Sequence, residues 1–140
     1  MTRIDFYAVR TGDRTALACR LAARAYAAKC RVLVHCVDAA RARAFDRLLW
    51  CFREDSFVPH GLLGETDASC TPVLIGSLDQ APDEHGVLIN LELAVPEGFA
   101  RFARLCEPLD QDPAVLGAGR QRWTFYRAQG HPLQYHQIQS

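Results

Sequence analysis

Arg31-Val32-Leu33-Val34-His35-Cys36-Val37 is apolar almost throughout instead of alternating apolar with polar residues. A strand of that kind is covered on both faces, which is the habit of parallel sheets flanked by helices. Upstream, Leu17, Leu21, Ala25 and Ala28 recur at helical spacing with Arg14, Arg20 and Arg24 on the other side. That helix is capped by Asp13 or Thr15 and runs to about Lys29; before Thr11-Gly12-Asp13 lies a short apolar strand, Ile4 to Val9. Downstream, Asp38 caps a second helix whose stripe is Ala42, Phe45, Leu48 and Leu49. Strand, helix, strand, helix implies parallel strands joined by right-handed crossovers.

The same reading carries to the end of the chain. Pro72–Gly76 and Val87–Leu91 are two further short β-rich runs, separated by a polar turn with Pro82-Asp83. Pro96-Glu97-Gly98 starts a helix with Phe99, Phe102 and Ala103 inward, and Leu105–Leu109 returns as an edge strand. Asp112-Pro113 starts a last helix that runs to about Gln129 and is stopped by Gly130 and Pro132. The polar residues from about 131 to 140 are expected to form a loose tail. Residues 1–140 therefore form one three-layer α/β domain with a mostly parallel sheet.

Composition narrows the function classes. With 49% apolar and 23% charged residues the chain is globular, and its apolar runs are too short for a transmembrane helix. The first twenty residues carry Arg3, Asp5, Arg10, Asp13 and Arg14 and no apolar signal core, so a cytoplasmic location is expected. Cys19, Cys30, Cys36, Cys51, Cys70 and Cys106 have neither C-x-x-C spacing nor a secretory context. They are read as buried free thiols, with no zinc.

The net charge of zero hides an uneven distribution: residues 1–64 carry +5, residues 65–112 carry −8, and residues 113–140 carry +3 with no acidic group. That is not the broad basic surface of a nucleic-acid binder. It suits a small acidic ligand or peptide near the C-terminal segment.

Chemistry-bearing motifs are scarce. Only Gly12 follows the first strand, so the G-x-G-x-x-G fingerprint is missing, and there is no Walker motif or other cofactor signature. A nucleophile pairing of Cys51 or Cys70 with His60 or His35 has no motif behind it, and His35 reads as a satisfied core residue. No acid–base carboxylate pair stands out, so no catalytic residue is assigned.

Two stretches exceed what a plain scaffold requires. On the last helix, Arg120, Trp123 and Arg127 are spaced by three and four residues and share a face, with Arg122 nearby. A tryptophan between arginines suits a carboxylate beside an apolar group, although a Trp packed on the sheet with solvated Arg neighbours fits the periodicity equally. Gly117 and Gly119 allow close backbone approach just before it. The second stretch runs from Trp50 to Glu65, where a connection carries Trp50, Phe52, Phe57, Val58, Leu62 and Leu63. It is either folded back over the core or kept for docking.

At these places the chain resembles the chi subunit family of bacterial DNA polymerase III holoenzyme. The residues concerned are Phe45-Asp46-x-x-Leu49-Trp50, Ser56-Phe57-Val58-Pro59-His60, Gly64-Glu65 and Arg120-x-Arg122-Trp123-x-x-Tyr126-Arg127-x-x-Gly130. The resemblance implies a Rossmann-like fold without a nucleotide site and a non-catalytic accessory protein. Such a protein bridges the small psi subunit of the clamp loader to the acidic C-terminal tail of single-stranded DNA-binding protein. By motif match, tail binding is expected at Arg120, Arg122 and Trp123, with Leu109 as an apolar wall; Arg127 joins them from helix geometry. Docking of psi, or of a competing helicase-like partner, is expected at Trp50, Phe57, Val58 and Pro59. Contact with nucleic acid is expected to be indirect. The rival class is a small α/β enzyme acting on a nucleotide or acyl substrate.

Overall fold

Val32–His35 is buried at every position, and so is Val87–Asn90, because both strands lie inside a sheet covered on its two faces. The computed structural model describes residues 2–51, 58–68, 70–81 and 86–138. Its strands are β1 (Arg3–Val9), β2 (Val32–His35), β3 (His60–Leu62), β4 (Val73–Gly76), β5 (Val87–Asn90), β6 (Arg104–Leu109) and β7 (Leu133–Ile138). They form one sheet in the order β3-β4-β2-β5-β6-β1-β7. Every pairing is parallel.

The helices are α1 (Arg14–Ala27), α2 (Ala39–Cys51) and α3 (Pro113–Ala128). Alternation along the strands divides the core into two layers. Tyr7, Val34, Ile75 and Ile89 pack with Leu17, Leu21, Phe45 and Leu49 of α1 and α2. Phe6, Leu33, Leu88 and Leu105 pack on the opposite face with Val115 and Tyr126 of α3 and with Phe99. The expected caps are formed: Asp13 accepts from Thr15 N and Ala16 N, Asp38 from Ala40 N and Asp112 from Ala114 N.

Four expectations change. The helix from Pro96 is a single 3-10 turn, Phe99–Arg101, because β6 starts at Arg104 and leaves no length for more. Phe99 and Phe102 are buried as expected, but Ala103 is exposed. The strand at 105–109 is not an edge: β6 lies between β5 and β1 and is buried on both faces. The residues expected to be a loose tail instead contain β7, which pairs with β1 from Ile4↔Leu133 to Val9↔Ile138. Finally, the connection after α2 contains the short edge strand β3, paired with β4.

At the carboxyl ends of the strands, where doubly wound sheets bind their ligands, two backbone donors are met by carboxylates of the chain itself. Val37 N donates to Glu92 Oε2 at 2.9 Å, and Arg14 N to Asp110 Oδ2 at 2.9 Å. The Arg14 guanidinium spans the same edge to the Leu91 and Glu92 carbonyls. A helix N-terminus already facing a carboxylate is a poor seat for a phosphate.

Candidate peptide-binding site

Helix α3 approaches the sheet closely at Gly119, where an added Cβ would stand 2.9 Å from Leu109 Cδ2. Gly117 faces open space. Beside that contact lies an open cavity of about 400 Å³ lined by Phe6, Leu109, Leu116, Gly119, Arg120, Trp123, Thr124 and Tyr135. Trp123 stands edge-on to Phe6, ring centroids 5.2 Å apart, which fixes its indole as a wall. Arg120 is at the rim; among the described residues no carboxylate pairs with it or with Arg127, and both are exposed. The structure thus brings Arg120, Trp123 and Leu109 together and keeps Arg127 on the same helix face. Sequence spacing does not point to Phe6, Leu116 or Tyr135, and Tyr135 belongs to the site only because β7 exists.

Arg122 departs from the surface role expected of it. It is 2% exposed, turned inward from α3, and its Nε donates to Glu107 Oε2 at 3.1 Å. The Tyr126 hydroxyl donates to the same oxygen at 2.6 Å, and Asn90 Nδ2 lies 3.1 and 3.2 Å from the two carboxylate oxygens. A second Arg122 nitrogen donates to the Leu93 carbonyl. Burial pushes the Glu107 carboxyl upward in pKa, against the opposing pull of Arg122, Tyr126 and Asn90. The Tyr126 hydroxyl is raised by burial and by the Glu107 charge. Arg122 therefore anchors the helix that carries Arg120 and Trp123 and is unavailable to a ligand.

The family model described as "DNA polymerase III chi subunit, HolC" matches residues 1–134. The chain belongs to the DNA polymerase III chi subunit family. A protein of Pseudomonas aeruginosa named DNA polymerase III subunit chi is 42% identical over 142 residues, covering 99% of this chain and 98% of its own length. Proteins of the same name from Haemophilus influenzae and Escherichia coli are 32% and 29% identical over 118 residues. Those two alignments cover 84% of this chain, and 82% and 80% of the respective relatives. Among solved structures, the crystal structure of T4 UvsW superposes with a TM-score of 0.71 at 10% identity, covering 99% of this chain and 42% of that one. At that identity the likeness is one of fold.

In this chi-family chain the residues named for the second surface are divided between core and surface. Phe45 and Leu49 point into the core, whereas Trp50 is 56% exposed at the end of α2. Its ring lies 4.8 Å from that of His60. Val58 is 5% exposed and packs with the α1/α2 layer, so it is a core residue rather than a docking one. Pro59 is half-buried, and Phe57 lies outside the described residues.

The rings of His35 and His60 are engaged by the backbone. His35 Nδ1 accepts the Leu78 N–H at 3.0 Å, as a core histidine. His60 has its ring nitrogens against the Val58 and Asp46 carbonyls at 2.6 and 3.2 Å. Cys19, Cys36 and Cys106 are buried, with burial pushing the Cys19 and Cys106 thiols up to about 12. Cys51 and Cys70 are exposed and Cys30 half-buried, so the expectation of six buried thiols holds for three. Cys51 ends α2 and Cys70 lies in a turn, whereas Cys30 packs in part against the α1/α2 layer.

Proposed function

We propose that this chain is a connector within the DNA polymerase III clamp-loader assembly, acting in DNA replication in the cytoplasm by holding partners and not by chemistry. One surface takes the acidic C-terminal tail of single-stranded DNA-binding protein; the other takes psi, or a competing helicase-like partner. The observation that carries this reading is Arg120, exposed at the rim of an apolar cavity with no carboxylate partner among the described residues. A peptide ending in an apolar residue with a free carboxylate is complementary to both parts. Its side chain enters between Leu109, Leu116 and Trp123, and its carboxylate meets the guanidinium. Arg127, two turns along the same face, supplies charge for the acidic residues that precede it. Trp50 and Pro59 carry the second surface, with Phe57 proposed alongside them from the sequence.

Calorimetric titration with a tail peptide tests the first surface. Arg120→Ala weakens binding by about 1.5–3 kcal/mol, the worth of a charge-assisted hydrogen bond. Added salt weakens the wild-type interaction as well. Unchanged affinity after Arg120→Ala removes the assignment. A pull-down with full-length and tail-deleted single-stranded DNA-binding protein then identifies the partner.

A further inference from the structure

β7 closes one side of the cavity through Tyr135 and is the terminal strand of the sheet. Its pairing with β1 determines which of its backbone groups remain available. Ile4 N donates to the Pro132 carbonyl at 2.9 Å, and Ile4 lies opposite Leu133. In a parallel ladder this register turns the backbone groups of Gln134 and His136 toward β1 and those of Leu133, Tyr135 and Gln137 away from it. Among the described residues no strand pairs with that outer side.

Edge strands are normally guarded by charge, proline, a bulge or brevity. Leu133-Gln134-Tyr135-His136-Gln137-Ile138 has six residues, no Pro, Lys, Arg, Asp or Glu, and pairs without interruption. Arg120 and Arg127 are exposed on α3 and residues 113–140 contain no Asp or Glu, so the surroundings favour a negatively charged chain.

We infer that the outer edge of β7 is a strand-addition site for the extended backbone of the acidic peptide whose terminal residue occupies the Arg120–Trp123 cavity. The inference rests on the proposed tail reading and adds a second contact to it. Tyr135 belongs to both parts, so a peptide leaving the cavity past it meets the outward N–H and C=O groups of β7 directly. Main-chain pairing gives affinity independent of the peptide's acidic side chains, while the cavity reads its end.

The test uses the full chain with two synthetic probes. One is an acidic peptide of about eight residues ending in Phe, enough to run along β7 at ~3.3 Å per residue. The other is only about its last two residues, too short at that rise to leave the cavity. Single backbone N-methylations are scanned through the long probe. The expected result is a period-two pattern, alternate N-methyl groups weakening binding by about fivefold for one lost hydrogen bond and the others leaving it unchanged. On the protein side, Gln137→Pro removes an outward N–H and weakens the long probe only, whereas Gln137→Ala keeps that donor and retains affinity. A short probe indifferent to Arg120→Ala sinks the cavity reading and this inference with it. A normal Arg120 effect on the short probe, without alternation in the long one, overturns this inference alone. It is also overturned if Gln137→Pro changes only the oligomeric state, which makes the edge a contact between two copies.

Discussion

Arg122 of α3 and Glu107 of β6 are joined inside the protein, Nε to Oε2 at 3.1 Å, with side-chain exposures of 2% and 0%. Removing one member leaves the other charged and buried, which costs about 3–5 kcal/mol, while replacing both by apolar residues of similar volume costs far less. Arg122→Ala therefore lowers urea-unfolding stability by that order, and Arg122→Met/Glu107→Gln, which removes both charges but keeps an acceptor for Tyr126 and Asn90, recovers part of the loss. If Arg122→Ala is as stable as wild type, the pair does not anchor α3.

Gly119→Ala separates packing from recognition. Alanine gains about 1 kcal/mol of helix propensity over glycine, but its Cβ meets Leu109 Cδ2 at 2.9 Å. That atom is the tip of a side chain able to shift, and it shifts into the cavity it lines. Stability should change by less than about 1 kcal/mol, since the two effects oppose each other. Tail-peptide affinity should fall, as read by titration. Unchanged affinity would show that Leu109 is not a wall of the occupied site.

Acid sensitivity should trace to Asp5, whose side chain is fully buried and contacts Arg3, Arg104 and His136. Burial alone raises its pKa, but hydrogen bonds from His136 and Arg104 and the charges of Arg104 and Arg3 outweigh it and hold the group below 3.8. A carboxyl depressed by folding contributes stability that is fully present above its unfolded value and lost as pH falls through the folded one. Stability measured against pH should therefore drop below about pH 4. In Asp5→Asn that drop should be shallower, with lower stability at neutral pH because Arg3 and Arg104 lose their counter-charge. Equal slopes would assign the acid loss elsewhere.

Trp50 and Val58 distinguish docking from folding. Trp50→Ala removes an exposed ring and should leave stability within about 1 kcal/mol while abolishing co-purification of the psi-side partner. Val58→Ala opens a buried site and should destabilise by about 0.5–3 kcal/mol. Its partner binding should persist at temperatures where the variant is folded. Thermal melts and pull-downs on both variants give the comparison; loss of binding in Val58→Ala alone reverses the assignment.

The interior strands and the three helices were legible because burial on both faces and capping leave local marks: unbroken Val/Leu/Ile runs, Asp before a helix, Asp112-Pro113. β3 and β7 left no such mark. Each is an edge strand, half exposed and partly polar, held by the neighbour it pairs with and not by its own pattern. β6 looked peripheral because its place beside β1 follows from topology alone. The Arg120/Trp123 face was readable from spacing, and so in principle was the fate of Arg122. Two helical positions turn roughly 200°, which carries residue 122 to the side opposite Arg120. What no periodicity could show was Glu107 waiting there, or Tyr135 completing the cavity from a strand formed only in the folded chain.

The position of β1 bears on how the chain comes off the ribosome. Along the chain it precedes the other strands of this sheet, yet its neighbours are β6 and β7, with Ile4 facing Leu105 on one side and Leu133 on the other. During synthesis β1 therefore stays without its two neighbours until β6 and β7 have emerged, since contacts so distant in sequence form late and slowly. During that wait its apolar residues are exposed to chaperones and to other chains. A chain stalled or truncated before α3 lacks both that helix and β7, one of the two strands that hold β1 in the sheet.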